Sequence, residues 1–450
     1  MLRAIARKVQ LGIEERHYLK HKLVVGAVGS FGLKIAGSGL AFGLSVMLAR
    51  CLGTVGLGIY AYAMTWTNLL SIPATLGIDQ LIVRETAIYR ARSQWKLMGG
   101  LLRWSTSIVL VTSLALTLIA AGVVWGFHND SNELVWAVVL AMTTLPLASL
   151  RNLRLGAMRG LNRIVLGQMP DTLFAPLIVI ALTGSIYFLL PDRLNVFWVL
   201  GSKIIATAVT FIIGTVWLVR SLPQPVREVK PDYSGKQWLL SALPFMFLGT
   251  AELINSRIDI IMLGTFEGAA AVGIYAAIAG IAQLTAFIHQ ATLGVLGPTI
   301  ATLYSEGKVR QLERLIQRSI LAVFAISLLL GGTIIALSKY LLLIFGSEFV
   351  IGATAMNILI GGQIFNALTG PVGLVLNMTG HQTKTAIATG LSAFLNIVLN
   401  ALLIPRYGII GAAIATTISI ITINAIKVMF VQKVLNISLY SLSFNRANAK

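Results

Sequence analysis

The residues able to do chemistry in this sequence are few, and they sit where charge is costly. The stretch LINSRIDIIMLGTF (253–266) is apolar enough to cross a bilayer, yet it carries Arg257 and Asp259, with Glu252 and Asn255 close by. Glu252, Asn255, Ser256 and Asp259 fall at i, i+3, i+4 and i+7 and so share one helical stripe. Arg257 is two positions from Asp259, about 200° round the helix, and must face elsewhere. Two more bases lie inside apolar runs. Lys34 repeats with Ser30 and Ser38 every four residues, about 15 Å into its run, and Lys203 lies in another. A charge at bilayer depth costs at least about 2.5 kcal/mol, so such residues pair with one another or mark a pathway. Both readings stand here: ion pairs of the bases with Glu252 or Asp259, or a site for an anion. Arg suits phosphate through its planar fork and Lys suits it as a point charge.

Other chemistry is missing. There is no HExxH, P-loop or GxSxG pattern, so neither a catalytic site nor ATP hydrolysis is expected. One cysteine, Cys51, allows no intrachain disulfide and no CxxC metal site, and the five histidines are scattered. No metal and no cofactor is expected. His289 and the amides Asn357, Gln363, Asn366, Asn396, Asn400 and Asn424 read mostly as hydrogen-bonding partners between helices.

The elements that must position these residues are membrane helices. Hydrophobic residues make up 56% of the 450 and charged residues 11%; mean hydropathy is +0.84. Apolar runs of about 20 residues recur, each able to cross a hydrocarbon core of roughly 30 Å. The short alternating segments of a β-barrel are absent. Twelve spans are expected near 24–50, 56–83, 98–126, 134–158, 166–190, 194–219, 238–265, 268–302, 316–346, 352–379, 383–404 and 409–433. The basic, mildly amphipathic residues 1–22 lack a cleavable signal pattern and read as a cytoplasmic interfacial segment. Residues 434–450 read as a cytoplasmic tail.

Of the 35 Lys and Arg, this layout leaves only Arg50, Arg193, Lys339 and Arg406 on the outer side and Lys34, Lys203 and Arg257 within spans. The rest fall inside, which puts both termini in the cytoplasm. It also accounts for most of the +19 net charge, so nothing calls for nucleic acid; orientation and anionic lipid suffice.

The polar joint at 221–237 divides the chain into six-span halves, 23–220 and 238–433. An even span number makes them parallel repeats about an axis along the membrane normal. Short echoes agree: Leu52-Gly53-Thr54 then Gly58-Ile59-Tyr60-Ala61, against Leu263-Gly264-Thr265 then Gly273-Ile274-Tyr275-Ala276. Met158-Arg159-Gly160 is answered by Met378-Thr379-Gly380. The expected fold is all-α: two six-helix bundles with a cleft between them.

The run LARCLGTVGLGIYAYAMTWTNLLSIPATLGIDQLIVRETA (48–87) resembles the first characteristic block of the lipid-linked oligosaccharide flippases of bacterial polysaccharide biosynthesis. INSRIDIIMLGTFEGAAAVGIYAA (254–277) resembles the start of that family's second half, and RLGAMRGLNR (154–163) is similar to its fourth-span exit. These flippases belong to the multidrug/oligosaccharidyl-lipid/polysaccharide superfamily. The resemblance implies a V-shaped pair of bundles in a bacterial inner membrane, moving polyprenyl-pyrophosphate oligosaccharide from the cytoplasmic to the outer leaflet. It implies coupling to a proton or sodium gradient and a polysaccharide polymerase as partner. On that reading Lys34, Arg257 and Lys203 would meet the pyrophosphate, and Glu252 and Asp259 would be the coupling acids. The rival within the superfamily is a drug or cation antiporter, which favours an acidic lumen. A non-transport scaffold of a polysaccharide-assembly complex is the rival from another class, and a synthase fits least.

Overall fold

The computed structural model describes residues 2–127, 133–190 and 193–435, together with Ile437 and Leu439. Among these the chain is helical throughout its regular structure, with no strand. Among the described residues nine helices are long and apolar enough to cross a membrane, and the pair Glu133–Met142 and Leu145–Gly160, bent by 43°, makes a further span. Two of the nine each contain two spans. Helix α1 (Leu2–Thr75) is interrupted at Gly53 and a second (Gln382–Leu435) at Gly408, both with the positive φ that glycine adopts without a Cβ penalty. In the second the chain doubles back. Ser392 Oγ donates to the Ser419 carbonyl at 3.1 Å, although a straight helix would separate these residues by about 40 Å. Counted this way, the twelve spans expected from the sequence are present.

The elements follow in order after α1. A break at Leu76 and Gly77, both with positive φ, leads to α2 (Ile78–Ala91). Then come α3 (Trp95–Phe127), α4 (Glu133–Met142), α5 (Leu145–Gly160) and α6 (Ile164–Met169), a π-turn (Pro170–Phe174), α7 (Ala175–Leu189) and α8 (Val196–Ser221). The joint contains the short α9 (Gln224–Glu228). The second half holds α10 (Gly235–Phe266), α11 (Ala269–Ser305), α12 (Val309–Ala336), α13 (Ser338–Phe345), α14 (Ala353–Thr369), α15 (Val372–Met378) and α16 (Gln382–Leu435). Helix α1 runs into the first span without a break, so residues 2–22 continue the span's helix. The tail expected at 434–450 lies almost wholly outside the described residues.

The two ends of the molecule differ. Turns at Gly53, Gly268, Gly346 and Gly408 mark one, the glycine end; Arg90, Arg92, Lys96, Arg163, Arg227 and Lys308 mark the other, the basic end. At the glycine end both halves share one hydrophobic core, in which Leu48, Leu57 and Val199 join Leu263, Val272, Tyr275 and Phe349. The two Gly-Ile-Tyr-Ala repeats meet here. A Cβ on Gly58 would overlap the Ala269 carbonyl, and one on Gly273 would overlap the Thr54 carbonyl. Arg50 adds a clasp, donating to Ile344 O at 2.7 Å and Leu343 O at 2.6 Å.

At the basic end the halves keep separate cores, one around Leu81, Met98 and Leu153, the other around Ile300, Ile316 and Val375. Helix α10 crosses between the halves. Its first turns belong to the first half: Trp238 and Ala242 complete that half's core, and Trp238 Nε1 donates to Tyr89 OH at 2.9 Å. Its later turns pack on α16 and join the shared core. Pro244, which lacks a backbone N–H to donate, lies between these two attachments.

Candidate functional site

A cavity of about 690 Å³ lies between the halves, within the range of small-molecule sites. Helical periodicity builds its walls. Phe31, Lys34, Ser38, Ala41 and Ser45 come from one face of α1, at steps of three and four. Ala276, Gly280, Gln283, Phe287 and Gln290 do the same on α11. Helix α10 supplies Ser256 and Arg257, and the π-turn supplies Thr172. Ring pairs bridge the halves at both limits of the cavity: Phe42 with Phe345 toward the glycine end, centroids 5.6 Å apart, and Phe31 with Phe287 toward the basic end, 5.5 Å apart. The shared core seals the glycine end.

Lys34 and Arg257 therefore face one cavity from opposite halves, and both are exposed within it. No carboxylate lines it among the described residues. Its remaining polar groups are hydroxyls and two exposed amides, Gln283 and Gln290. The small residues Gly37, Ala276, Ala279 and Gly280 keep the walls back. At Gly37 a Cβ would overlap Thr172, so glycine also lets α1 pack on the π-turn.

The other three residues singled out by charge lie elsewhere. Asp259, 5% exposed, points away from Arg257 into the second bundle. Its Oδ2 accepts from Tyr275 OH at 2.6 Å and Thr416 Oγ1 at 3.3 Å, and its Oδ1 accepts from Ile260 N at 2.8 Å. Asn255, one turn earlier on that face, donates to Thr389 O at 3.0 Å and accepts from Ser392 Oγ at 3.1 Å; Asn396 Nδ2 donates to the Asn255 carbonyl at 3.2 Å. Glu252 is exposed on α10 and has Lys427 of α16 as its charged neighbour. Lys203 is absent from the cavity wall. It lies within the first bundle, with Arg151 and Asp171 as its charged neighbours.

Several members of these networks escape a reading from sequence. Arg151, Arg154 and Lys427 count there as loop bases, yet Arg154 is 3% exposed and pairs with Asp171 inside the bundle. Asp171 falls within the expected fifth span but only about 7.5 Å from its start, half the depth that singles out Lys34. Gln283 and Gln290 become visible once the small residues of α11 are read as a cavity face. Among the described residues no group of three His, Cys, Asp or Glu could hold a metal.

Residues 24–304 match the family model described as polysaccharide biosynthesis protein, and residues 244–402 match the MatE model. The probable low-salt glycan biosynthesis flippase Agl15 of Haloferax volcanii is 24% identical over 402 residues, covering 88% of this chain and 81% of that protein. The probable flippase AglR of the same organism is 25% identical over 409 residues, with the same coverage. Among solved structures, the chain is similar to an inward-facing multidrug resistance MATE family transporter of the MOP superfamily. The TM-score is 0.69 at 15% identity, over 91% of this chain and 98% of that one. It is also similar to a MOP superfamily transporter from Pyrococcus furiosus noted for the reverse polarity of its binding pocket. There the TM-score is 0.64 at 13% identity, over 91% and 95% of the two chains. These likenesses establish the V-shaped, two-bundle fold of a multi-pass membrane protein.

Proposed function

Because this chain belongs to the polysaccharide biosynthesis protein family, we propose that it is a flippase of glycan assembly, a transporter and not an enzyme. Its cargo on this reading is polyprenyl-pyrophosphate oligosaccharide, carried from the cytoplasmic to the outer leaflet by alternating access. The observation that carries the reading is the pairing of Lys34 and Arg257, one from each bundle, in a cavity whose described lining holds no carboxylate. A pyrophosphate cannot enter a low-dielectric interior with its charge uncompensated. Two fixed cations replace its hydration, and the hydroxyls with Gln283 and Gln290 offer hydrogen bonds to the sugars next to it. The basic end is the cytoplasmic side by the positive-inside rule, so with the glycine end sealed the Phe31–Phe287 pair is the contact that must part for cargo to enter from within. Lys203, lying behind the cavity wall, takes no direct part in this binding.

Coupling to a proton or sodium gradient falls to Asp259 and Glu252 on α10, the helix that also carries Arg257. Asp259 is fixed by Tyr275 and Thr416 on α11 and α16, so a change in its ionisation alters how three helices of the second bundle hold together. The antiporter reading is weaker. A cation would meet only positive charge in this cavity.

The test is the lipid-linked sugar of cells lacking the gene, identified by mass spectrometry and rescued with wild type, Lys34→Ala or Arg257→Ala. Accumulation of polyprenyl-linked oligosaccharide that only wild type clears is expected. Accumulation cleared equally by all three would remove the cations from the mechanism. No accumulation would overturn the flippase reading.

A further inference from the structure

The first bundle buries a second charged group that the cavity does not use. Helix α5, the π-turn and α8 bring together Arg154, Asp171, Arg151 and Lys203. Arg154 forms an ion pair with Asp171 and donates through Nη1 to the Thr210 carbonyl at 2.8 Å. A Cβ on Gly214 would overlap this guanidinium, so the glycine opens the space for it. The compensation is incomplete. Arg154 Nε, Arg151 Nε and Asp171 Oδ1 are all buried without a hydrogen-bond partner. Asp171 is the one carboxylate among four groups, and Arg151, Arg154 and Lys203 all draw on its charge, so three cations share one acid. The group therefore carries an excess of positive charge, with the half-buried Arg151 and Lys203 as charged neighbours of the Arg154–Asp171 pair. Uncompensated charge of this kind costs several kcal/mol, and unpaired buried donors add to it.

We propose that the first bundle holds a small inorganic anion of halide size between Arg151 and Lys203, beside the Arg154–Asp171 pair. One monovalent anion neutralises the Lys203 charge and leaves Arg151, which is partly exposed, to be screened in part by water. It accepts from Arg151 Nε and Arg154 Nε, the buried donors without a protein partner. The site bears on the cavity through a single residue step. Thr172 follows Asp171, lines the cavity and packs on Gly37, one helical turn from Lys34. Pro170 opens the π-turn and gives it no N–H, so the segment lacks a full helical ladder, and π-turns of this sort recur at functional sites. An anion that ties Asp171, Arg151 and Lys203 together stiffens that wall. The inference does not depend on what the cavity carries.

The experiment uses the purified full chain in lipid nanodiscs, with melting temperature followed as chloride replaces gluconate at constant ionic strength. Wild type is expected to show a saturable rise across about 0–100 mM chloride, the signature of a ligand bound to the folded state. Lys203→Met and Arg151→Gln are expected to lose the rise, and Arg257→Gln to keep it. A wild type indifferent to chloride overturns the site. So does a response abolished by Arg257→Gln and kept by Lys203→Met, which would place the anion in the central cavity. Should the bundle variants fail to fold, wild-type crystals grown with bromide decide the matter. An anomalous peak between Arg151 and Lys203 supports the site, and a peak only beside Lys34 and Arg257 overturns it.

Discussion

The glycine end and the basic end of this molecule solve opposite problems. At the glycine end two halves are one object. Backbones approach at Gly58 and Gly273 until no side chain could come between them, and a single core runs through both bundles. At the basic end the halves keep their own cores, and α10 ties them, its first turns seated in one bundle and its later turns in the other. The difference shows where motion is available. Contact between bare backbones gives dispersion and close approach with no side-chain entropy to lose, so it can form and separate as a unit. A helix anchored at both ends with a proline between can only bend.

Three tests bear on this contrast. The largest effect is expected from Gly58→Val or Gly273→Val. Each puts a branched side chain into a backbone carbonyl of the other half. Overpacking costs about 1–3 kcal/mol, so closure of the glycine end should fall by about 5- to 150-fold. Spin-label distances across that end, read together with flipping in proteoliposomes, check this. Unchanged distances would mean that the glycines are packing conveniences. Arg50→Ala comes next. It removes both hydrogen bonds to the α13 carbonyls, which are solvent-exposed and so worth about 1 kcal/mol together. A cysteine at Ser45 should become severalfold more reactive toward a reagent added from the glycine side. The smallest effect is expected at the basic end. Tyr89→Phe removes the acceptor of Trp238 Nε1 for about 1 kcal/mol, lowering the melting temperature by a few degrees while leaving flipping within about twofold. A larger loss of flipping there would make the first turns of α10 part of the moving joint.

The fold was legible from residue types because lipid permits few solutions. Apolar runs of fixed length and repeated Gly-Ile-Tyr-Ala segments point to the number of spans and to a two-bundle, all-helical fold. The cavity was legible only in part. Depth singles out Lys34 and Arg257, and the 200° between Arg257 and Asp259 separates the cavity face of α10 from its bundle face. Lys203 carries the same depth signal as Lys34 and yet belongs to another network, because depth along a helix says nothing of the face it presents to its neighbours. Arg154 and Lys427 were hidden for the converse reason. Each lies near a basic joint, and only the packing of α5 and α16 shows them turned inward. The breaks inside spans, at Thr143–Thr144 and at the π-turn, leave no mark in an apolar run beyond Pro146 and Pro170.

Lys34 and Arg257 belong to different bundles and share one cavity, and like charges in such a space repel. An unloaded carrier therefore resists drawing its two arms together around nothing, whereas the dianion of the proposed cargo would turn that repulsion into attraction on both sides. On the proposed function, idle cycling, which would dissipate an ion gradient without exporting any sugar, would be discouraged by the same two residues that are proposed to meet the cargo.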